Sequence, residues 1–351
     1  MASNTLLEFL TAPNPTLDCT RSSVGANTFN ANWDPVSALE DWPDFNYDIL
    51  MQSYGHVLLQ QVPPMPGTSP PLTPLATTIF TEETFNDVLS RAIMPQVSEA
   101  LRVAWPLCHP DHNPKDVAEI AKGAKAKRGT TEEDNRFYPD WAAIRESQET
   151  NFGYKNLCPG ETKLASKWST SKEGRGRTDY LAPFDQIQTY CGRQWGAPHG
   201  YIITPEELVV VRVSRESIGP GLAASRPIRT RIQREQPAHS RTFSTETVSS
   251  GLQAMSLDTG SSFSYDTNPN IEYGPLQFKS IPWKAEGKNK MTVKLALWWL
   301  NVETGKDLSV QDYPPSRISD HRQVQQPSER ARAPAPLSGS GPGKGKRPAK
   351  T

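Results

Sequence analysis

Apolar residues recur at intervals of three and four between 81 and 105: Phe85, Val88, Leu89, Ala92, Ile93, Val97, Leu101 and Trp105. That period predicts an amphipathic helix with one buried face. Thr81 can cap it, and Glu82 and Glu83 fall in the first turn, where the helix dipole favours acids. Pro95 predicts a kink. Residues 200–213, GYIITPEELVVVRV, predict two strands joined at Thr204-Pro205-Glu206-Glu207, the second nearly continuous in apolar residues as in a buried strand. Tyr273 to Trp283 reads as a strand and Asn289 to Val302 as a short apolar helix. A helix over 183–197 opens on Pro183, a residue suited to a first turn. Thinner alternation predicts strands near 136–144 and 157–165, paired as a hairpin.

Between these segments the pattern fails. Residues 1–75 are rich in Pro, Asn, Thr and Ser and end in a proline-dense run, VPPMPGTSPPLTPL, that forbids helix and inner strand. Residues 215–262 are rich in Arg, Ser, Thr and Gln with little apolar content. Residues 304–351 end in GSGPGKGKRPAKT. The expected organisation is therefore a disordered Pro-rich arm over 1–75, one domain over 76–303 with a disordered insertion near 215–262, and a disordered basic tail over 304–351. The aromatic and acidic patch NWDPVSALEDWPDFNYDIL (32–50) lies inside that arm. It reads as disordered sequence or as a docking segment for a protein partner.

Composition agrees: 351 residues include 32 Pro and 23 Gly, only 36% are hydrophobic, and the mean hydropathy is −0.60. No run of 18 apolar residues exists, so no membrane span is expected. The first residues, MASNTLLEFLTAPNP, lack the basic and apolar blocks of a secretory signal. Cys19, Cys108, Cys158 and Cys191 are scattered, which fits a reducing compartment. Together these point to an intracellular protein, nuclear or cytoplasmic. Net charge is zero, but residues 1–119 carry 14 acids and 4 bases, and the rest carries 24 acids and 34 bases. The positive half is the one a phosphate-binding site would want.

The candidate chemistry lies in that half. Pro139-Asp140 is followed, 21 residues after the Asp, by Glu161-Thr162-Lys163. In a strand, residues two apart share a face, so Glu161 and Lys163 would stand together and Asp140 could join them from a neighbouring strand. Two carboxylates can hold Mg²⁺ or Mn²⁺, and a lysine beside the metal can orient or deprotonate a water. Gln186 and Tyr190, four apart, would share a helical face. Lys122, Lys125, Lys127 and Arg128 form a basic cluster just upstream, suited to phosphate contact or to a solvated loop. Cys108, His109, Asp111 and His112 suggest zinc, but no second ligand pair follows, and an exposed loop fits better. Glu286-Gly287-Lys288 is a second such triplet, and Pro43-Asp44 has no acid-x-Lys triplet within reach.

Pro139-Asp140, Glu161-Thr162-Lys163 and Gln186-x-x-x-Tyr190, in that order, resemble the PD-(D/E)xK nuclease superfamily, and the Gln-x-x-x-Tyr step resembles its RecB-like branch. With AKRGTTEEDNRFYPDW, LCPGETKLASKW, PFDQIQTYCGRQWGA and GYIITPEELVVVRVSRE, the chain is similar to the PD-(D/E)xK nuclease-like domain of filamentous fungi, over roughly 80–303. The resemblance implies an α/β restriction-endonuclease-like core, a small central mixed sheet flanked by helices. It implies that Asp140, Glu161 and the backbone carbonyl of Thr162 hold Mg²⁺ or Mn²⁺ and that Lys163 positions or activates water. Gln186 and Tyr190 would contact nucleic acid or brace the site, and Glu99 or Glu119 would be an extra upstream acid. The implied activity is metal-dependent cleavage of nucleic acid, DNA ahead of RNA. The alternative is an inactive nuclease-fold module that binds nucleic acid or a protein partner.

Overall fold

Seven strands, three to seven residues long, carry the architecture. In chain order they are β1 (Leu39–Asp41), β2 (Glu119–Lys122), β3 (Trp141–Ile144), β6 (Gly160–Thr162), β7 (His199–Ile203), β8 (Glu207–Arg212) and β11 (Leu276–Pro282). They form one mixed sheet in the order β1-β11-β8-β7-β6-β3-β2. The β6–β7 and β1–β11 pairs are parallel and the others antiparallel. Two small ribbons stand apart: β4 (Glu149–Thr150) with β5 (Gly153–Tyr154), and β9 (Arg215–Ser217) with β10 (Ile271–Tyr273). The structure is a computed structural model and describes residues 5–25, 27–62, 72–111, 113, 116–129, 138–217, 271–306 and 308. All of these fall in one unit that runs to Pro315.

Helices cover both faces of the sheet, giving a mixed α/β fold. On one face lies α5 (Arg177–Gln188), continued by a wide π segment, Thr189–Trp195. Its Phe184, Ile187, Cys191 and Trp195 pack on Ile202, Val209 and Val211. On the other lie α1 (Leu6–Leu10), α2 (Tyr47–Leu58), α3 (Glu82–Val88), α4 (Met94–Cys108) and α6 (Val293–Glu303). All of α6 is buried, including Trp298 and Trp299. Its buried polar side chains are partnered, Lys294 with Gln96, Asn301 with Leu297 O and Glu303 with Tyr54 and Lys306. Thr292 caps it by accepting from Leu295 N at 3.2 Å.

The periodic helix of residues 81–105 is α3 and α4 joined by a π turn at Leu89–Ile93. Thr81 caps its start as expected. Pro95 follows the π turn directly, and Met94 N–H reaches back five residues to Leu89 O. A proline lacks the N–H that a regular turn needs, and the wider turn accommodates that loss. The second helix starts earlier than expected, at Arg177, so Pro183 sits inside it. The carbonyl that Pro183 leaves without a helical partner, Asp179 O, accepts from Asn27 Nδ2 at 3.1 Å. The hairpin of 200–213 forms as β7 and β8. The strands near 136–144 and 157–165 form as shorter β3 and β6, side by side and antiparallel at Trp141↔Gly160.

The N-terminal segment departs from expectation. Within 1–75, residues 5–62 contain α1, β1 and α2, with Leu6, Leu10, Trp42, Phe45, Leu50 and Leu58 all at most 2% exposed. Phe45 stacks on Trp299 at 4.3 Å, and Trp42 stacks on His199 at 5.5 Å. The clusters LLEFL and WPDFNYDIL carry no long period, but the first packs on α4 and α6, and the second supplies Phe45 to α6 and follows β1 on the sheet edge. Burying one such side chain contributes about 1.5–3 kcal/mol. Residues 63–71 of the arm, 218–262 of the expected insertion, and the expected tail from 309 onward lie outside the described residues. No helix among the described residues is long and apolar enough to cross a membrane.

Candidate active site

Asp140 stands at the entrance to β3, held from behind by the loop after β2. Gly123 N–H donates to Asp140 O at 2.8 Å. A side chain at Gly123 would meet Pro139 O at 1.7 Å, so only glycine lets the two backbones approach. In front, Asp140 Oδ2 accepts from Thr162 N–H at 2.9 Å. That bond joins the Pro-Asp turn to the middle of the Glu-Thr-Lys strand.

Glu161 and Lys163 share a face of β6, as their spacing demands, and that face looks toward α5. Lys163 Nζ donates to Glu161 Oε1 at 2.7 Å, and Gln186 Nε2 donates to the same oxygen at 2.8 Å. Gln186 Nε2 also donates to Tyr190 Oη at 2.9 Å, and Tyr190 Oη donates to Tyr138 O at 3.3 Å. Asp140, Glu161, Lys163, Gln186 and Tyr190 therefore gather around one point, Asp140 through the Thr162 N–H. Glu161, Lys163 and Gln186 are each less than a tenth exposed, while Asp140 is half-buried.

Burial pushes the Glu161 carboxyl up to about 7, against the pull of Lys163, and the Asp140 charge adds to the rise. On Lys163 burial works downward, but Glu161, Glu82 and Asp140 outweigh it and hold the ammonium above its usual range. Glu161 Oε2 and Gln186 Oε1 are buried with no hydrogen-bond partner. A buried orphan oxygen beside a second carboxylate fits a hard divalent cation that takes oxygen ligands and keeps waters. The donor set lacks the nitrogen and sulfur that zinc favours. Among the described residues no group of three or more His, Cys, Asp or Glu could hold a metal ion.

Two residues the sequence reading passed over brace the strand of the site from α3, Asn86 on the face of β6 opposite Glu161. Asn86 Oδ1 accepts from Thr162 Oγ1 at 2.6 Å, and Trp141 Nε1 donates to that hydroxyl at 3.0 Å. Glu82 pairs with Lys167 at 3.2 Å and bears on the Lys163 charge. Their four-residue spacing on one helix was the available signal, and Glu82 was masked by the ordinary preference for acids in a first turn.

The expected extra acids are elsewhere. Glu99 pairs with Arg102 on α4, and Glu119 stands opposite Ile144, at the far end of the β2–β3 ladder from Trp141. His109 is buried rather than in an exposed loop: its ring tilts against Trp105, and Nε2 meets Val302 O at 2.9 Å. His112 lies outside the described residues. Lys288 of the second triplet pairs with Glu8 at 3.0 Å. Comparison with models of known families, with curated proteins and with solved structures finds no match.

Proposed function

We propose that the chain is a metal-dependent phosphodiesterase of the PD-(D/E)xK type, with a restriction-endonuclease-like core, acting on nucleic acid and on DNA ahead of RNA. One observation carries the reading: Asp140, Glu161, Lys163, Gln186 and Tyr190, spread over 51 positions, converge on a buried carboxylate with one oxygen unpartnered. Asp140, Glu161 and the Thr162 carbonyl would hold Mg²⁺ or Mn²⁺. Such an ion would supply Lewis acidity toward the phosphate and a water of lowered pKa. Lys163 Nζ orients the attacking water and offsets charge on the phosphate oxygens. Gln186 fixes the rotamer of Glu161, and Tyr190 fixes Gln186 through Nε2.

The test is cleavage of single-stranded, duplex and branched DNA in Mn²⁺, with Mn²⁺ affinity measured beside it. Lys163→Ala is expected to lose cleavage and keep metal, and Asp140→Ala to weaken both. Undiminished cleavage in Lys163→Ala overturns the assignment. A second reading, an inactive binding module of the same fold, draws on one feature: the Lys163 ammonium already occupies Glu161 Oε1 in a nearly closed pair. Absence of wild-type cleavage in every divalent metal, with nucleic-acid binding retained, favours that reading.

A further inference from the structure

The basic cluster upstream of the site is built into the fold, beside Asp140. Lys122, Lys125, Lys127 and Arg128 are all exposed, while Gly123, Ala126 and Gly129 between them are buried. The loop is pinned twice. Gly123 bonds the Asp140 carbonyl, and Lys127 N–H donates to Tyr154 O at 3.2 Å, next to the Ala126–Tyr154 bridge. The Lys122 ammonium sits 4.2 Å from the centre of the Trp141 ring. The β4–β5 hairpin packs against this loop, with Gly153 on Lys127, and at its tip Phe152 is 44% exposed. Among the described residues, two acids share the area: Glu149 is exposed on β4, and Glu119 lies 3.8 Å from Lys125 with both side chains more than half in water. A pair so exposed and so long competes weakly with a phosphate.

We infer that this surface, the 122–128 loop and the Phe152 hairpin tip, binds single-stranded nucleic acid and leads its backbone to Asp140. Three lysines, Lys122, Lys125 and Lys127, on a pinned loop track phosphates, and an exposed aromatic tip offers a platform on which an unpaired base stacks. A paired base cannot stack there. Behind half-buried Asp140, the Glu161 carboxylate is less than a tenth exposed, and a bendable single strand approaches such a recess where a rigid duplex does not. The inference rests on the nuclease reading for its direction toward Asp140 and not for the binding itself.

The experiment is fluorescence-anisotropy titration of the full chain with labelled oligothymidylate, oligouridylate and a duplex of equal length, in EDTA, over a salt series. Wild type is expected to bind both single strands more tightly than the duplex. Lys125→Ala/Lys127→Ala should make the slope of log affinity against log salt shallower by roughly 1.4, at roughly 0.7 per lost phosphate contact. Phe152→Ala should weaken single-strand binding about fivefold or more without changing the slope, and Phe152→Trp should restore it. No binding by wild type, tighter duplex binding, or an unchanged slope in the double variant overturns the inference. Tighter binding to one of the two single strands assigns DNA or RNA within it. Binding as expected in a protein that cleaves nothing leaves the inference standing and removes the nuclease reading. Cleavage with unaltered binding in the variants does the reverse.

Discussion

Lys163 and Glu161 neutralise one another where water scarcely reaches. Removing one partner of such a pair leaves a buried charge, at a cost on the order of 3 kcal/mol. Lys163→Met is expected to lose about that much at pH 8 in urea unfolding, and less at pH 5, where Glu161 takes a proton. Burial already raises that carboxyl to about 7, and removing the ammonium raises it further. Equal losses at both pH values contradict this account. Gly123 is constrained by space, since its neighbour is a backbone carbonyl that cannot rotate away. Gly123→Ala should cost on the order of 2 kcal/mol through overpacking, read as a lower midpoint with unchanged slope. Because the loop must move off Asp140, the proposed metal role of that residue predicts that Mn²⁺ affinity falls with it.

The site depends on three elements being held together: α3, β3 and β6 meet at the Thr162 hydroxyl. That hydroxyl accepts from Trp141 and donates to Asn86, so Asn86→Ala strands a buried donor. The expected loss is about 1–2 kcal/mol in thermal or urea unfolding. Asn86→Asp keeps an acceptor and should recover most of it; failure to recover would argue that the amide's other contacts matter more. The α3–α4 rod was legible from its period and its Thr81 cap. Its π turn was not, because a pattern of threes and fours does not distinguish a regular turn from one with an extra residue. The early start of α5 was equally hidden, since Asn27, which meets the carbonyl freed by Pro183, lies 152 residues upstream of that carbonyl.

Across the molecule, acid stability turns on the far end of β7. His199 is buried and stacked on Trp42, with Glu303, Arg212 and Lys306 acting on it, and burial lowers its pKa from 6.5 to about 4. The unfolded chain therefore binds more protons between those values. Stability is fully present above about 6.5 and is lost as pH falls toward about 4, by roughly 3 kcal/mol. Glu303, whose carboxylate is held below its usual range by Lys306 and His199, works in the same direction at the acid end. His199→Gln should flatten the profile between pH 6.5 and 4 in denaturant titrations; an unchanged slope would sink the assignment to His199. Deleting residues 1–46 should prevent cooperative folding, as read by circular dichroism, because it uncovers Trp299 and the β11 edge.

Some properties were determined by the order of residues alone. The spacing of Glu161 and Lys163 put them on one face of any strand, Gln186 and Tyr190 shared any helix, and the run from Leu208 to Val213 required burial on both sides. These are local consequences of backbone period. Tertiary structure alone decided the rest. Residues 5–62 carry too little apolar sequence to order themselves, and they fold because α6 and the sheet edge offer them a surface. Asn86 braces β6 and Glu82 bears on Lys163, where Glu99 and Glu119 do neither, because the crossing of α3 over β6 selects them. The orphan oxygen of Glu161 exists only once α5 and β6 pack, since burial and hydrogen-bond count are properties of the assembled core.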